Sequence, residues 1–129
     1  MDLETVMDAA REASQKAYAP YSNFHVGAAI LTEDGTIHAG CNVENASYGL
    51  AVCAERNAAA AMVLASHEDR KIELVAVFSS DASRCFPCGA CRQVLREFGC
   101  KELVVEEASG LHRYPFEEIL PHAFGPEDL

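Results

Sequence analysis

Basic residues are scarce in this sequence: 10 lysines and arginines stand against 20 aspartates and glutamates, giving a formal net charge of −10. Proteins that bind polynucleotides tightly usually neutralise several phosphates with basic side chains, so this charge disfavours a nucleic-acid partner. The same charge also serves solubility, and taken alone it is weak evidence. The negative net charge favours a small substrate that is not strongly anionic.

The sequence also lacks long apolar runs and a basic leader followed by an apolar stretch. Its first residues, MDLETVM, do not fit a secretory signal, and no apolar stretch is long enough to span a bilayer. We therefore expect a soluble, cytoplasmic protein with no membrane partner. In that compartment the six cysteines favour metal or thiol chemistry over disulfides.

No linker, repeat or low-complexity tract divides the chain, so residues 1–129 are predicted to form one domain. Periodicity and turn signals predict helices over residues 3–18, 51–65, 89–98 and 116–120, and strands over 24–31, 36–42, 72–78, 103–106 and 111–114. Asp34-Gly35 marks a hairpin between the first two strands. This order predicts an α/β fold, a three-layer α/β/α sandwich around a mixed five-stranded sheet.

Two cysteine motifs carry the chemical signal: Cys53-Ala54-Glu55 and, 35 positions after Cys53, Pro87-Cys88-Gly89-Ala90-Cys91. Cys88 and Cys91 are three apart at the start of a predicted helix, hence on one face. Cys53 starts another helix. Three cysteine ligands leave one coordination position open, which is typical of a catalytic zinc. The pattern predicts one Zn²⁺ per chain, with Glu55 carrying protons, as in zinc deaminases.

The total charge of this ligand set is unfavourable for a catalytic zinc. Three thiolates and Zn²⁺ sum to −1, which weakens the metal as a Lewis acid. Two helix N-termini offset part of that charge because their N–H groups favour thiolate. We also expect Arg56 to donate to the cysteine sulfurs and so to support the metal site.

Cys85 keeps an alternative open, because it forms a second C-x-x-C pair with Cys88. A structural zinc site of four cysteines, 53, 85, 88 and 91, is the competing hypothesis. Pro87 favours the three-ligand set, since proline is common at a helix start and Cys85 would then point elsewhere. Cys41 and Cys100 are expected to be ordinary buried thiols, and the five histidines show no ligand spacing.

Longer motifs flank these cysteines. They are AYAPYSNFHVGAA at 17–29, GCNVENASYG at 40–49, CAER at 53–56, PCGACRQV at 87–94 and LPHAFGPEDL at 120–129. Through them the sequence resembles, nearly end to end, the small homotetrameric cytidine deaminases of nucleoside salvage. The resemblance implies hydrolysis of free cytidine and deoxycytidine to uridine and deoxyuridine in pyrimidine salvage, with release of ammonia.

The resemblance also implies how substrate is held. Phe24 would pack against the pyrimidine, and Asn42 and Glu44 would hold the ribose hydroxyls. Val43 lies between these two and is included among the substrate-binding positions. The backbone around Ala54 and Cys88 would bind the polar edge of the base.

The remaining implied roles concern mechanism and assembly. Hydroxide on the zinc would attack carbon 4 of the base, while Glu55 delivers a proton to ring nitrogen 3 and then to the amino group. Tyr48 and Phe124 would reach toward a neighbouring subunit, so that a homotetramer shares its active sites. Gln93 would support the metal region.

Two other functions stay open on sequence alone. One is a related deaminase with another substrate, either of the blasticidin type or a polynucleotide editor. The other is a zinc-stabilised interaction module without catalysis. The Asn42–Glu44 motif and the net charge disfavour the first, and an open zinc position beside Glu55 disfavours the second.

Overall fold

One mixed sheet of five strands forms the centre of the molecule. In the computed structural model, which describes residues 2–129, the strands are β1 (Gly27–Thr32), β2 (Ile37–Cys41), β3 (Ile72–Phe78), β4 (Glu102–Glu107) and β5 (Gly110–Pro115). They lie in the order β2-β1-β3-β4-β5. The β3–β4 pair is parallel and the β1–β2, β1–β3 and β4–β5 pairs are antiparallel. The predicted hairpin and the mixed sheet are confirmed.

Helices cover both faces of this sheet, which confirms the three-layer sandwich. They are α1 (Leu3–Ser14), α2 (Ala54–Ala65), α3 (Gly89–Glu97) and the single turn α4 (Phe116–Ile119). The α1 helix packs on one face, and α2 and α3 pack on the other. Short 3₁₀ turns occur at Tyr48–Leu50 and Pro126–Asp128. Within residues 2–129, no helix combines the length and apolar character needed to cross a membrane.

The central strands divide their side chains between two apolar layers, because successive strand residues point to opposite faces. In β1, Ala28 and Ile30 pack beneath α2, whereas Ala29 and Leu31 pack beneath α1. Every residue of β1 is buried. A strand covered on both faces needs such a continuous apolar run, and that run is what the sequence provides.

Two of the helices are three or four residues shorter than predicted, and in each case one of the excluded residues forms a bridge with Val43. The first helix ends at Ser14 instead of residue 18, because Tyr18 leaves the helix to form a parallel bridge with Val43. The second begins at Ala54 instead of residue 51, because Val52 forms an antiparallel bridge with the same residue. Neither bridge has a local sequence signal.

Two glycines allow the helices to approach the sheet closely. A Cβ at Gly27 would lie 1.9 Å from the carbonyl oxygen of Ala10 in α1. A Cβ at Gly40 would lie 2.4 Å from the backbone nitrogen of Ala58 and 2.7 Å from the carbonyl oxygen of Ala54, both in α2. Because these neighbours are helix backbone, they cannot give way as a flexible side chain can. Gly40 therefore fixes how closely α2 lies against β2.

We predict that Gly40→Ala lowers the free energy of unfolding by about 1–3 kcal/mol, because it forces α2 away from the sheet. Denaturant unfolding followed by circular dichroism measures the change. Gly49→Ala is the control: a Cβ there meets no described atom within 4 Å, and its effect should stay within about 0.5 kcal/mol. Equal effects of the two substitutions would contradict the packing argument.

Candidate active site

Three cysteine sulfurs meet where α2 and α3 begin. Cys53 and Cys88 are the N-cap residues of α2 and α3, and Cys91 lies in the first turn of α3. The Sγ atom of Cys88 lies 3.8 Å from that of Cys53 and 3.5 Å from that of Cys91, and all three lie within 4.8 Å of one another. Tetrahedral zinc with Zn–S bonds of about 2.3 Å places sulfurs roughly 3.8 Å apart. The three thiols therefore fit one Zn²⁺ and leave a fourth position open.

Cys85 does not join this group. Within residues 2–129, the cluster of possible metal ligands consists of the three cysteines just described, so the four-cysteine alternative gains no support. As expected, Cys85 lies outside the ligand cluster, although it lines the same cleft as Cys53 and Cys88. Burial raises the pKa of the Cys85 thiol to about 11. Without a bound metal the group therefore stays a protonated thiol near neutral pH.

Arg56 supplies positive charge beside the sulfurs. Its Nη2 atom donates to Sγ of Cys53 over 3.5 Å, and hydrogen bonds to Cys53 and then Cys91 raise the pKa of the guanidinium. Its Nε–H group is buried and has no partner in the described part of the chain. A buried N–H group of a cation that lacks a partner is unfavourable unless nearby negative charge compensates it. A set of thiolates would provide that charge.

Glu55 lies next to this cluster as the second residue of α2, and it is only 4% exposed. Burial raises the pKa of its carboxyl group, and the nearby Arg56 offsets the effect in part. Burial, followed by the charge of Glu55, also raises the pKa of the Cys91 thiol. A bound cation reverses this preference, since metal binding favours the thiolate and releases its proton.

A cleft of about 320 Å³ opens in front of Glu55, within the size range of small-molecule sites. Its walls come from the segments before β1, after β2 and before α3. The residues that line it are Ser22, Phe24, Val26, Asn42, Glu44, Cys53, Ala54, Glu55, Cys85, Phe86 and Cys88. Predicted ligands, the predicted proton carrier and several predicted substrate residues thus share one cavity.

Asn42 holds the backbone that presents Phe24. Its Nδ2 group donates to the carbonyl of Phe24 over 2.8 Å, and its Oδ1 atom accepts from the N–H of Val26 over 2.8 Å. The residue before Phe24, Asn23, has a left-handed backbone with φ 58°. This local arrangement replaces the strand that we predicted from residue 24, and β1 begins only at Gly27.

Glu44 is held by the same loop. Its carboxylate accepts from the backbone N–H groups of Tyr21 (3.0 Å) and Ser22 (3.1 Å) and from the hydroxyl of Ser22. Hydrogen bonding, led by the Ser22 hydroxyl, holds the pKa of Glu44 below its ordinary value. The group is therefore a charged acceptor near neutral pH, and a carboxylate has about four lone-pair sites.

Four other predicted residues lie at the edge of this cleft or away from it. Val43 forms the two backbone bridges described above, and its side chain is 44% exposed. Tyr48 is 75% exposed and Phe124 is 59% exposed. The Nε2 group of Gln93 donates to the carbonyl of Phe124 over 2.9 Å. Its recorded partner is thus the C-terminal segment, and support of the metal by Gln93 stays a prediction.

Sequence reasoning missed three residues of the site. Ser22 joins Glu44 to the Phe24 loop, and Phe86 lines the cleft. Arg92 donates to the carbonyls of Pro87 (2.8 Å) and Ile119 (2.7 Å), which fixes the segment before Cys88. Phe86 and Arg92 are neighbours of the cysteine motif in the sequence, and this position could have identified them as site residues. Ser22 lies 22 positions from Glu44, so nothing local pointed to it.

Comparisons with known proteins agree with this site. The family model for the cytidine and deoxycytidylate deaminase zinc-binding region matches residues 1–107. The cytidine deaminase of Mycobacterium tuberculosis (strain H37Rv) is 44% identical over 131 residues, covering 100% of this chain and 94% of that protein. The cytidine deaminase of Sporosarcina psychrophila is 42% identical over 132 residues, covering 100% of this chain and 96% of that protein.

The fold agrees as well. The crystal structure of cytidine deaminase from Burkholderia pseudomallei matches with a TM-score of 0.87 at 43% identity, covering 96% of this chain and 100% of that one. A second crystal structure, of cytidine deaminase from Mycobacterium tuberculosis, matches with a TM-score of 0.84 at 39% identity, covering 97% and 98% of the two chains. On its sequence, its fold and its cluster of three thiols, this chain belongs to the cytidine and deoxycytidylate deaminase family.

Proposed function

We propose that this chain is a zinc-dependent hydrolase that converts free cytidine and deoxycytidine to uridine and deoxyuridine and releases ammonia. One observation carries the proposal. The buried carboxylate of Glu55 and the sulfurs of Cys53 and Cys88 line a single cleft with Phe24 and Glu44. Metal chemistry, proton transfer and nucleoside binding thus have their residues in one place. Similarity to cytidine deaminases along the whole chain supports the substrate.

Proton transfer is the task of Glu55. Zn²⁺ held by the three cysteines would supply a Lewis acid that makes water a nucleophile at neutral pH. Glu55 accepts a proton from the attacking water and passes it to ring nitrogen 3 of cytosine. It then takes the second proton of the same oxygen, which becomes the carbonyl oxygen of uracil, and delivers it to the amino group that leaves as ammonia. Burial raises the pKa of Glu55, which brings it nearer to working pH. A proton carrier operates best when its pKa is close to that pH.

The base is held by an aromatic face and a helix end. Phe24 is 37% exposed and lines the cleft, so a pyrimidine that packs on it removes apolar surface from water. Ala54 is the first residue of α2 and also lines the cleft. The first N–H groups of a helix have no intrahelical partner, and they are free to donate to the polar edge of the base.

The sugar is held by Asn42 and Glu44. The carboxylate of Glu44 accepts three hydrogen bonds from its own chain, which leaves about one lone-pair site for a ribose hydroxyl. Asn42 keeps one N–H and one lone pair after its two backbone contacts. A site with such fixed polar partners discriminates against ligands that lack the matching hydroxyl, and cytidine and deoxycytidine share the hydroxyls at the 3′ and 5′ positions of the sugar.

We propose further that the enzyme is a homotetramer with shared active sites. The exposure of Tyr48 (75%), Leu50 (65%) and Phe124 (59%) supports this, since a subunit interface would remove such large apolar groups from water. The rings of Tyr21 and Tyr48 lie 5.7 Å apart and form part of such a surface. All six cysteines are free, which suits a reducing compartment. We assign the reaction to pyrimidine salvage in the cytoplasm.

Glu55→Gln tests the proton-transfer role. We expect the variant to bind one zinc per chain and to lose at least about a thousandfold in kcat, because an amide cannot carry protons. Uridine formation is followed by the absorbance change on deamination, and zinc is measured by atomic absorption on the same sample. Glu117→Gln, an exposed site in α4, is the control. Substantial turnover in Glu55→Gln would refute the role.

Arg56→Ala tests the charge balance of the ligands. Removal of the cation beside Cys53 should weaken zinc binding by about tenfold, since groups that support metal ligands typically contribute 10–100-fold in affinity. Competition with a chromogenic chelator measures the change. Arg70→Ala is the matched control, because this arginine donates to the Ser66 and Val63 carbonyls at the far end of α2. Unchanged zinc affinity in Arg56→Ala would contradict the assigned role.

Co-expression of two variants tests the shared sites. Glu55→Gln and Phe124→Ala should each be nearly inactive alone. Mixed tetramers should recover part of the activity, because some sites then combine an intact Glu55 with an intact Phe124 from another subunit. Analytical ultracentrifugation establishes the assembly in parallel. A monomeric enzyme with full activity, or no recovery in mixed tetramers, would overturn the shared-site proposal.

A further inference from the structure

Two segments that line the cleft are also in direct contact with each other. The first, residues 20–26, is named here the aromatic loop because it carries Phe24. The second, residues 79–88, is named the cysteine loop because it carries Cys85 and Cys88. Both contribute lining residues to the cleft, so their separation sets the width of the slot between Phe24 and the cysteine side.

One pair of residues joins these loops. The backbone N–H of His25 donates to Oδ2 of Asp81 over 2.9 Å, and the ring Nδ1 of His25 lies 3.1 Å from the same oxygen. The two residues are 56 positions apart in the sequence. Asp81 is itself fixed by a turn, in which its N–H donates to the hydroxyl of the buried Ser79 over 3.1 Å.

The other hydrogen bonds of this stretch run in a different direction. The N–H of Phe24 donates to the hydroxyl of Ser22 over 3.0 Å. The side chain of Asn42 donates to the Phe24 carbonyl and accepts from the Val26 N–H. These partners, Ser22 and Asn42, lie outside the cysteine loop. Among the hydrogen bonds recorded for residues 24–26 in the described chain, those to Asp81 alone reach the cysteine loop.

We propose that His25 and Asp81 are positioning residues that clasp the aromatic loop to the cysteine loop and so set the width of the pyrimidine slot. This inference rests on the proposed function. Loss of the clasp would let Phe24 move away from the base while the cysteines and Glu55 keep their places. The expected signature is a higher KM with little change in kcat or zinc content.

The electrostatics of His25 and Asp81 agrees with the clasp that their geometry defines. The backbone N–H of His25, followed by its ring, holds the pKa of Asp81 below the ordinary value, so the carboxylate remains a charged acceptor. His25 also faces Glu44, whose pKa it helps to lower. The His25 and Asp81 side chains are 36% and 37% exposed. Solvent screens such a pair, and its contribution lies in geometry more than in stability.

The geometry predicts unequal effects of the two alanine variants. Asp81→Ala removes both contacts, whereas His25→Ala leaves the backbone N–H in place. We expect KM for cytidine to rise about tenfold in Asp81→Ala and about threefold in His25→Ala, from the usual strength of single hydrogen bonds. In the double variant, His25→Ala should add almost nothing to Asp81→Ala. His25→Asn, which offers an amide donor near the place of Nδ1, should restore KM.

Asp69→Ala is the matched control, because Asp69 also accepts from two backbone N–H groups, of Asp34 (2.6 Å) and Lys71 (3.1 Å), but lies outside the cleft. It should leave KM unchanged. An unchanged KM in Asp81→Ala, additive effects in the double variant, or a fall in kcat that follows zinc loss would each overturn the clasp.

Hydrogen exchange measured by mass spectrometry separates this inference from the proposed function. Exchange across residues 20–26 should accelerate in Asp81→Ala and stay at the wild-type rate in Asp69→Ala, because the His25 N–H loses its partner and the loop its anchor. This measurement needs no substrate. Unchanged exchange in Asp81→Ala would overturn the clasp, even if the protein deaminates cytidine. Accelerated exchange in a protein that does not deaminate cytidine would support the clasp and contradict the proposed function.

Discussion

The convergence of two helix N-termini on three thiols is the constraint on which the rest of the site depends. Cys53 and Cys88 occupy the N-cap positions of α2 and α3, where backbone N–H groups and the helix dipole favour negative charge. Both helices lie on the same face of the sheet, and Gly40 lets α2 approach β2 without a side chain between them. A shift of either helix would separate the sulfurs and remove the metal site.

The same convergence creates an excess of negative charge that the surrounding residues must balance. Three thiolates exceed the charge of one Zn²⁺, and Glu55 adds a further carboxylate in a buried position. Arg56 is the cation that contacts this cluster, through Cys53. The arrangement thus keeps a carboxylate with a raised pKa close to a metal site, which is the condition for a proton carrier next to a Lewis acid.

The parts of this structure that could be predicted from sequence are those with local signals. Alternating and helical periodicity gave the nine main elements in the correct order, and the C-x-x-C spacing with Pro87 separated Cys88 and Cys91 from Cys85. The features that could not be predicted depend on tertiary contacts. The bridges of Val43 shorten two helices, and the clasp between His25 and Asp81 spans 56 positions. Such contacts depend on the fold as a whole, so no window of sequence reveals them.

Asn42 and Glu44 hold the loop that carries Phe24 through hydrogen bonds within the chain. The amide of Asn42 already holds the backbone on both sides of His25, and the carboxylate of Glu44 already holds the start of the same loop through Tyr21 and Ser22. Each side chain keeps only its remaining hydrogen-bonding capacity for a sugar. Groups that are fixed in this way lose little freedom on binding. Under the proposed function, the residues that build the loop would therefore also select the ligand, and one substitution at Asn42 would alter both loop order and sugar recognition.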